Sequence, residues 1–176
     1  IGSGLVGSEM CIRDRLKILG IDPGYAIVGY GILNYDGYKF RPLGYGAITT
    51  EAGTDFTLRL MDIYHDMETV LDTFKPDAMS IEKLFFNTNQ KTGIDVAQAR
   101  GVIILAAAEM GVPVFEYTPL QVKQSVVGYG RAEKKQVMEM TRSILGLASV
   151  PKPDDTADAL ALAICHGHCS SAIKFN

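Results

Sequence analysis

The spacing of hydrophobic and polar positions changes period along the chain, and each change marks an element. Lys17–Asp22 is a short apolar run stopped by Asp22-Pro23-Gly24, the signature of a strand. Val28–Asn34 and Lys39–Thr49 follow at hairpin spacing around Tyr35-Asp36-Gly37, so the opening reads as an antiparallel meander of three strands. Phe56, Leu60, Ile63, Met67, Leu71 and Phe74 then recur every three or four positions, which predicts an amphipathic helix closed before Pro76. In the next strand, Asp77–Glu82, Ala78, Ser80 and Glu82 share one face while Met79 and Ile81 point to the other.

Ile94–Met110 is apolar nearly all round and holds Gly101 and several alanines, so it predicts a helix packed on several sides. Val112–Tyr117 reads as a strand. Pro119–Val126 and Ala132–Leu145 read as helices parted by Gly128-Tyr129-Gly130, and a last helix runs from about Asp154 to Cys169. Three antiparallel strands followed by helix–strand alternation predict an α/β fold. Its mixed five-stranded sheet would have strands one, four and five parallel and helices on both faces. No internal repeat or long linker divides the domain, placed at residues 16–169 with a tail over 170–176. Residues 1–15 have neither period and look like adapter read-through, so they are expected to stand outside the fold.

Composition narrows the function classes. The chain has 176 residues, 47% of them hydrophobic and 21% charged, values suited to one ordinary domain with its own core. No apolar stretch approaches the roughly 18–20 residues of a bilayer span, so no membrane partner is expected. Cys11, Cys165 and Cys169 are too few for a disulfide scaffold and fit a reducing cytoplasm. A net charge of −3 excludes a uniformly basic coat for nucleic acid and leaves phosphate contact to a local patch. Residues 117–142 supply one, with Lys123, Arg131, Lys134, Lys135 and Arg142 set against Glu133 and Glu139. Residues 51–82 are the reverse, with eight acids and two bases.

Four acids stand at informative places. Asp22 and Glu82 end the first and fourth strands, and Asp155 and Asp158 are three apart at the start of the last helix, hence on one face. Sites in open α/β sheets form beyond the carboxyl ends of parallel strands, where these acids converge if the last helix packs there. Clustered carboxylates repel one another until a cation neutralises them. Mg²⁺ prefers such oxygen donors, and two ions about 3.5–4 Å apart serve phosphodiester hydrolysis. Taken singly, Asp22 also suits a turn and Asp155 a helix cap. Glu82 fits neither role, because acids are depleted in strands and costly to bury.

Phe85 and Phe86 adjoin a polar loop with Asn87, Asn89, Gln90 and Lys91, where an aromatic face can stack on an unpaired base; strand parity lets only one of the two enter the core. Cys165-His166-Gly167-His168-Cys169 resembles a zinc cluster, but the two histidines point away from the cysteine face of a helix. His166 is instead read as a group that approaches the acids, as a general base or a support for one of them.

Beyond this, the segments GIDPG (20–24), MSIEKLFF (79–86), QARG (98–101), PVFEYTPLQVKQSVVGYGRAEKKQV (113–137) and PDDTADALALAICH (153–166) resemble the RuvC Holliday-junction resolvases from Leu16 to about His168. The resemblance implies an RNase H-like fold, a homodimer, and Mg²⁺-dependent resolution of four-way DNA junctions by paired symmetric nicks. It also implies 5′-phosphate and 3′-hydroxyl ends, a role in recombination and repair, Mn²⁺ as a substitute for Mg²⁺, and cooperation with the RuvA–RuvB branch-migration complex. By motif, Asp22, Glu82, Asp155 and Asp158 match the catalytic, metal-holding acids, and Lys123 and Lys134 match lysines of catalysis or DNA contact. Phe85 matches an aromatic that stacks near the junction centre; Lys91 and Arg131 join it as expected DNA contacts. The extra acid at Asp154 leaves the register open, with the spacing to Asp158 favouring Asp155.

Two alternatives stand beside a junction-selective endonuclease: a less selective RNase H-like nuclease and a catalytically inactive junction-binding module. An actin-like ATPase or sugar kinase would need further glycine-rich phosphate loops and a second large domain.

Overall fold

The computed structural model of the chain describes residues 15–84 and 90–173, with residues 90–92 and 171–173 given by their backbone alone. The expected leader, apart from the exposed Arg15, and Phe85 and Phe86 lie outside the described residues. The elements are β1 (Leu16–Asp22), β2 (Ile27–Tyr35), β3 (Phe40–Thr49), α1 (Phe56–Phe74), β4 (Ala78–Glu82), α2 (Gln90–Glu109), β5 (Val114–Tyr117), α3 (Pro119–Val127), α4 (Lys134–Leu145) and α5 (Asp154–Ile173).

The strands form one sheet in the order β3-β2-β1-β4-β5. β1 pairs antiparallel with β2, and β2 with β3. β1 runs parallel to β4, and β4 to β5. The mixed five-stranded sheet and its strand directions agree with the hydrophobic pattern. Boundaries moved where local chemistry decided them. α4 starts at Lys134 rather than Ala132, because the Gln136 side chain accepts the Glu133 N–H at 2.8 Å and closes a capping turn there. α5 continues to Ile173, so the segment read as a tail from residue 170 begins inside a helix.

Period-two alternation divides the core. On one face Leu19, Ile21, Val28, Ile32, Met79 and Ile81 meet Ile63, Met67 and Leu71 of α1 and Ala99, Ile103, Ala106 and Ala107 of α2. On the other, Ile18 and Leu33 meet Leu160, Ala161, Ala163 and Ile164 of α5, with Val126 of α3 and Val137 and Leu145 of α4 beyond. α5 is thus the helix enclosed on all sides, and almost every residue from Thr156 to His166 is buried.

This corrects one expectation. α2 buries only one side, while Ile94 and Leu105 on its outer side are 52% and 53% exposed. An outer-layer helix has the sheet and α1 beneath it, and within one chain nothing described lies over its other face. Among the described residues no helix is long and apolar enough to cross a membrane.

The sheet face under α5 is lined with glycine, and the need for it is steric. A Cβ at Gly20 would stand 1.9 Å from the Ala159 carbonyl oxygen, and one at Gly29 would stand 2.0 Å from that of Asp155. At Gly31 it would meet the Leu160 side chain at 2.5 Å. Without side chains between them, helix backbone rests directly on strand backbone. That contact sets the height of the first turn of α5 above the sheet.

Candidate active site

Asp22 and Glu82 are the last residues of adjacent parallel strands, one position beyond the paired Ile21 and Ile81. Both belong to the alternating set of Gly20 and Ser80, so both face α5. Asp22 pairs with Gly29 across the β1–β2 ladder, and the Asp155 backbone rests on that same Gly29. One helical step of three residues brings Asp158 to the same side as Asp155. Strand ends and helix start therefore place four carboxylates at one mouth.

Their electrostatics carry the signature of crowding. The Asp22 carboxyl is pushed up to about 8 by burial first, and then by the negative charges of Asp158, Glu82 and Asp155. Glu82 is raised by burial and by Asp158. Burial also raises Asp158, against the opposing pull of Lys134. Lys134, the first residue of α4, sets its Nζ 2.7 Å from Asp158 Oδ2, and this bond raises the lysine in turn. Asp154 turns outward to Lys152, at 2.6 Å, and that bond lowers its carboxyl. Of the two adjacent acids, it is Asp155 whose charge acts on Asp22.

As they stand, no three His, Cys, Asp or Glu side chains among the described residues are drawn together closely enough to share an ion. The donor set nonetheless suits a hard divalent cation: the donors are carboxylate oxygens, half-buried, and mutually repelling in a way that a cation relieves.

The other expected residues are dispersed. Lys123 is half-buried on α3 and is not among the leading influences on Asp22, Glu82 or Asp158. Arg131 is exposed in the turn before α4. Lys91 belongs to the first turn of α2, where only backbone is described, and Phe85 lies outside the described residues.

His166 does not approach the acids, contrary to the reading from sequence. It sits eight residues after Asp158, about 12 Å along the helix axis at the rise of an α-helix. There its Nδ1 shares a 2.7 Å hydrogen bond with the Tyr117 hydroxyl, its ring lies 4.4 Å from that of Phe115, and burial lowers its basicity.

Two features escaped the sequence reading. The glycines that seat α5 were visible only as small residues at alternate positions of β1 and β2. Arg100, inside the QARG segment, reaches the end of β4 and donates from Nε to the Glu82 carbonyl at 3.1 Å.

Comparison with known proteins identifies the lineage. The family model described as crossover junction endodeoxyribonuclease RuvC matches residues 18–166. The chain belongs to the RuvC family. A RuvC from Ruminiclostridium cellulolyticum is 60% identical over 86% of this chain and 91% of its own. One from Brevibacillus brevis is 57% identical over 92% of this chain and 97% of its own. Among solved structures, Thermus thermophilus RuvC in complex with a Holliday junction substrate superposes with a TM-score of 0.85 at 36% identity, covering 89% of this chain and 96% of that one. A yeast mitochondrial Holliday junction resolvase shares the fold at 15% identity, with a TM-score of 0.67. The RuvC matches and the sheet order together make the architecture RNase H-like, as the resemblance implied.

Proposed function

We propose that this chain is a crossover junction endodeoxyribonuclease that resolves four-way DNA junctions by paired, symmetric, Mg²⁺-dependent nicks. One observation carries the reading: Asp22, Glu82, Asp155 and Asp158 share one mouth and raise the protonation of its central acid. Family membership agrees with it, because RuvC nucleases are metal-dependent and a Thermus relative is solved with a Holliday junction.

The four carboxylates would hold Mg²⁺, with Mn²⁺ as a substitute and two ions per site as the working number. The metal supplies the Lewis acidity that phosphodiester hydrolysis needs. The chain's own residues do the rest. Asp22 and Glu82 face α5 from the strand ends while Asp155 and Asp158 extend from it, and all four are half-buried, so their charges are felt more strongly than in bulk water. Lys134 carries a positive charge at the rim, where a DNA phosphate approaches, and Lys123, Arg131 and Lys91 extend the basic surface. Phe85 stacks on a base near the junction centre, a contact that tolerates any sequence. Products carry 5′-phosphate and 3′-hydroxyl ends. A C2 homodimer supplies one site for each of two symmetry-related strands, and RuvA–RuvB is the proposed partner that delivers junctions in the cytoplasm.

The test is a synthetic four-way junction incubated with Mg²⁺, with nicks mapped on every strand. Paired nicks at symmetry-related positions are the expected result. Equal cutting of linear or hybrid duplexes would favour a general RNase H-like nuclease, and binding without nicking an inactive binding module. Asp22→Asn, Glu82→Gln and Asp155→Asn are each expected to lower nicking at least about a hundredfold while junction binding persists. Asp158→Asn is expected to follow them. Undiminished nicking in excess chelator would overturn the metal reading. Phe85→Ala is expected to lose activity on intact junctions and Phe85→Trp to retain it; equal behaviour of Phe85→Ala and wild type would remove the stacking role.

A further inference from the structure

We propose that Arg100 is a positioning residue for Glu82, holding the end of β4 against β5 from the side of the sheet opposite the acids. It extends the reading of Glu82 as a metal ligand and rests on it.

β4 has only five residues, and Glu82 is the last of them. A carboxylate at a strand terminus points where its own backbone points, and terminal ladder positions are those that fray. One ladder bond follows Glu82, from the Lys83 N–H to the Tyr117 carbonyl at 2.9 Å. Arg100 supplies the remaining hold. Its Nε donates to the Glu82 carbonyl at 3.1 Å, and its Nη2 donates to Glu116 Oε1 in an ion pair. Glu116 is the β5 partner of Ile81, so one guanidinium spans the ends of two neighbouring strands.

The chemistry of the group matters. A guanidinium is planar, permanently charged and presents its donors at fixed angles, so two acceptors held by it are also held relative to each other. The Arg100 side chain is 13% exposed, which keeps water from replacing it at the Glu82 carbonyl. Ile81 and its β5 partner Glu116 share the face covered by α2, whereas the Glu82 carboxylate faces α5. Arg100 therefore never touches the acid. It fixes the carbonyl of Glu82, and with it the backbone rotation that aims the side chain.

A tie between α2 and the sheet with no bearing on the site would change only stability, so the test reads metal binding without DNA. Mn²⁺ is titrated into the full chain by calorimetry, for wild type, Arg100→Gln, Arg100→Lys, Glu116→Gln and Glu82→Gln. Arg100→Gln is expected to weaken Mn²⁺ binding about tenfold, as loss of a group that supports a metal ligand commonly does. The Mg²⁺ needed for half-maximal nicking rises by a similar factor, while the rate at saturating Mg²⁺ changes less. Arg100→Lys keeps the charge but not the fork and falls between wild type and Arg100→Gln. If Arg100→Gln does not fold, Arg100→Lys and Glu116→Gln carry the test, both expected to bind Mn²⁺ more weakly than wild type. Wild-type Mn²⁺ affinity in the folded Arg100 variants, with binding lost in Glu82→Gln, would overturn this inference and leave the metal reading standing. Unchanged Mn²⁺ binding in Glu82→Gln would overturn that reading and this inference with it.

Discussion

At Asp22, burial and three neighbouring carboxylates favour the protonated acid, and this couples the folded state to pH. The group is raised to about 8 in the fold from an ordinary 3.8. A raised folded value contributes stability that is fully present below the unfolded value and is lost as pH rises through the folded one. In chelator, the melting temperature of the wild type is therefore expected to fall as pH rises from 5 to 8.5. Asp22→Asn has no charge to gain there, and its curve should be flatter over the same range. Parallel curves for the two proteins would show that Asp22 ionises freely in the fold. Lys134 separates binding from cleavage at the same scale. It opposes the acids' repulsion but is no ligand, so Lys134→Met is expected to leave Mn²⁺ binding at least as tight while slowing nicking. Weaker Mn²⁺ binding in a folded Lys134→Met protein would give the lysine a structural part in the metal site.

The element on which the site depends is α5, because one helix carries two of the acids and also closes the core. Its seat on Gly20, Gly29 and Gly31 leaves no room for a methyl group. Gly20→Ala forces the helix away from β1 and is expected to cost about 1–3 kcal/mol, the range of overpacked cores. Denaturant unfolding reads the stability, and Mn²⁺ calorimetry reads the site. Both should worsen together, since lifting α5 also lifts Asp155 and Asp158 off the strand ends. A destabilised Gly20→Ala protein with unchanged Mn²⁺ affinity would show that the acids do not depend on the seating of the helix.

For the molecule as a whole, the outer face of α2 is an exposed apolar surface on which the proposed homodimer is tested. Ile94, Gly101, Leu105 and Ala108 follow one another at helical spacing on its exposed side, and Leu58 and Met61 of α1, which packs against α2, are exposed as well. A junction offers two equivalent strands, and an isologous contact across this face would give the assembly two sites. Leu105→Arg is accordingly expected to shift sedimentation from dimer to monomer, with the fold kept and paired nicking reduced to single nicks. A Leu105→Arg protein that stays dimeric would place the interface elsewhere.

Strand and helix order, the division of β4 between two faces, and the positions of Asp22, Glu82 and Asp158 were all legible in sequence. Alternation and the three-to-four spacing are local properties of the chain, and strand ends follow from turn chemistry. The spacing to Asp158 already favoured Asp155 over Asp154; what spacing could not show is that the Asp155 backbone rests on Gly29 while the Asp154 side chain reaches Lys152. His166 shows the same limit, since a ring near the acids in sequence lies about two helical turns away and pairs with Tyr117 instead. α2 was expected to pack on several sides, yet it lies in an outer layer and α5 is the enclosed helix. Their surroundings come from strand order, which brings residues some 60 positions apart into contact. Arg100 belongs with these cases: its bond to Glu82 crosses from a helix to a strand end. A contact of that kind has no period along the chain, and only the tertiary structure decides it.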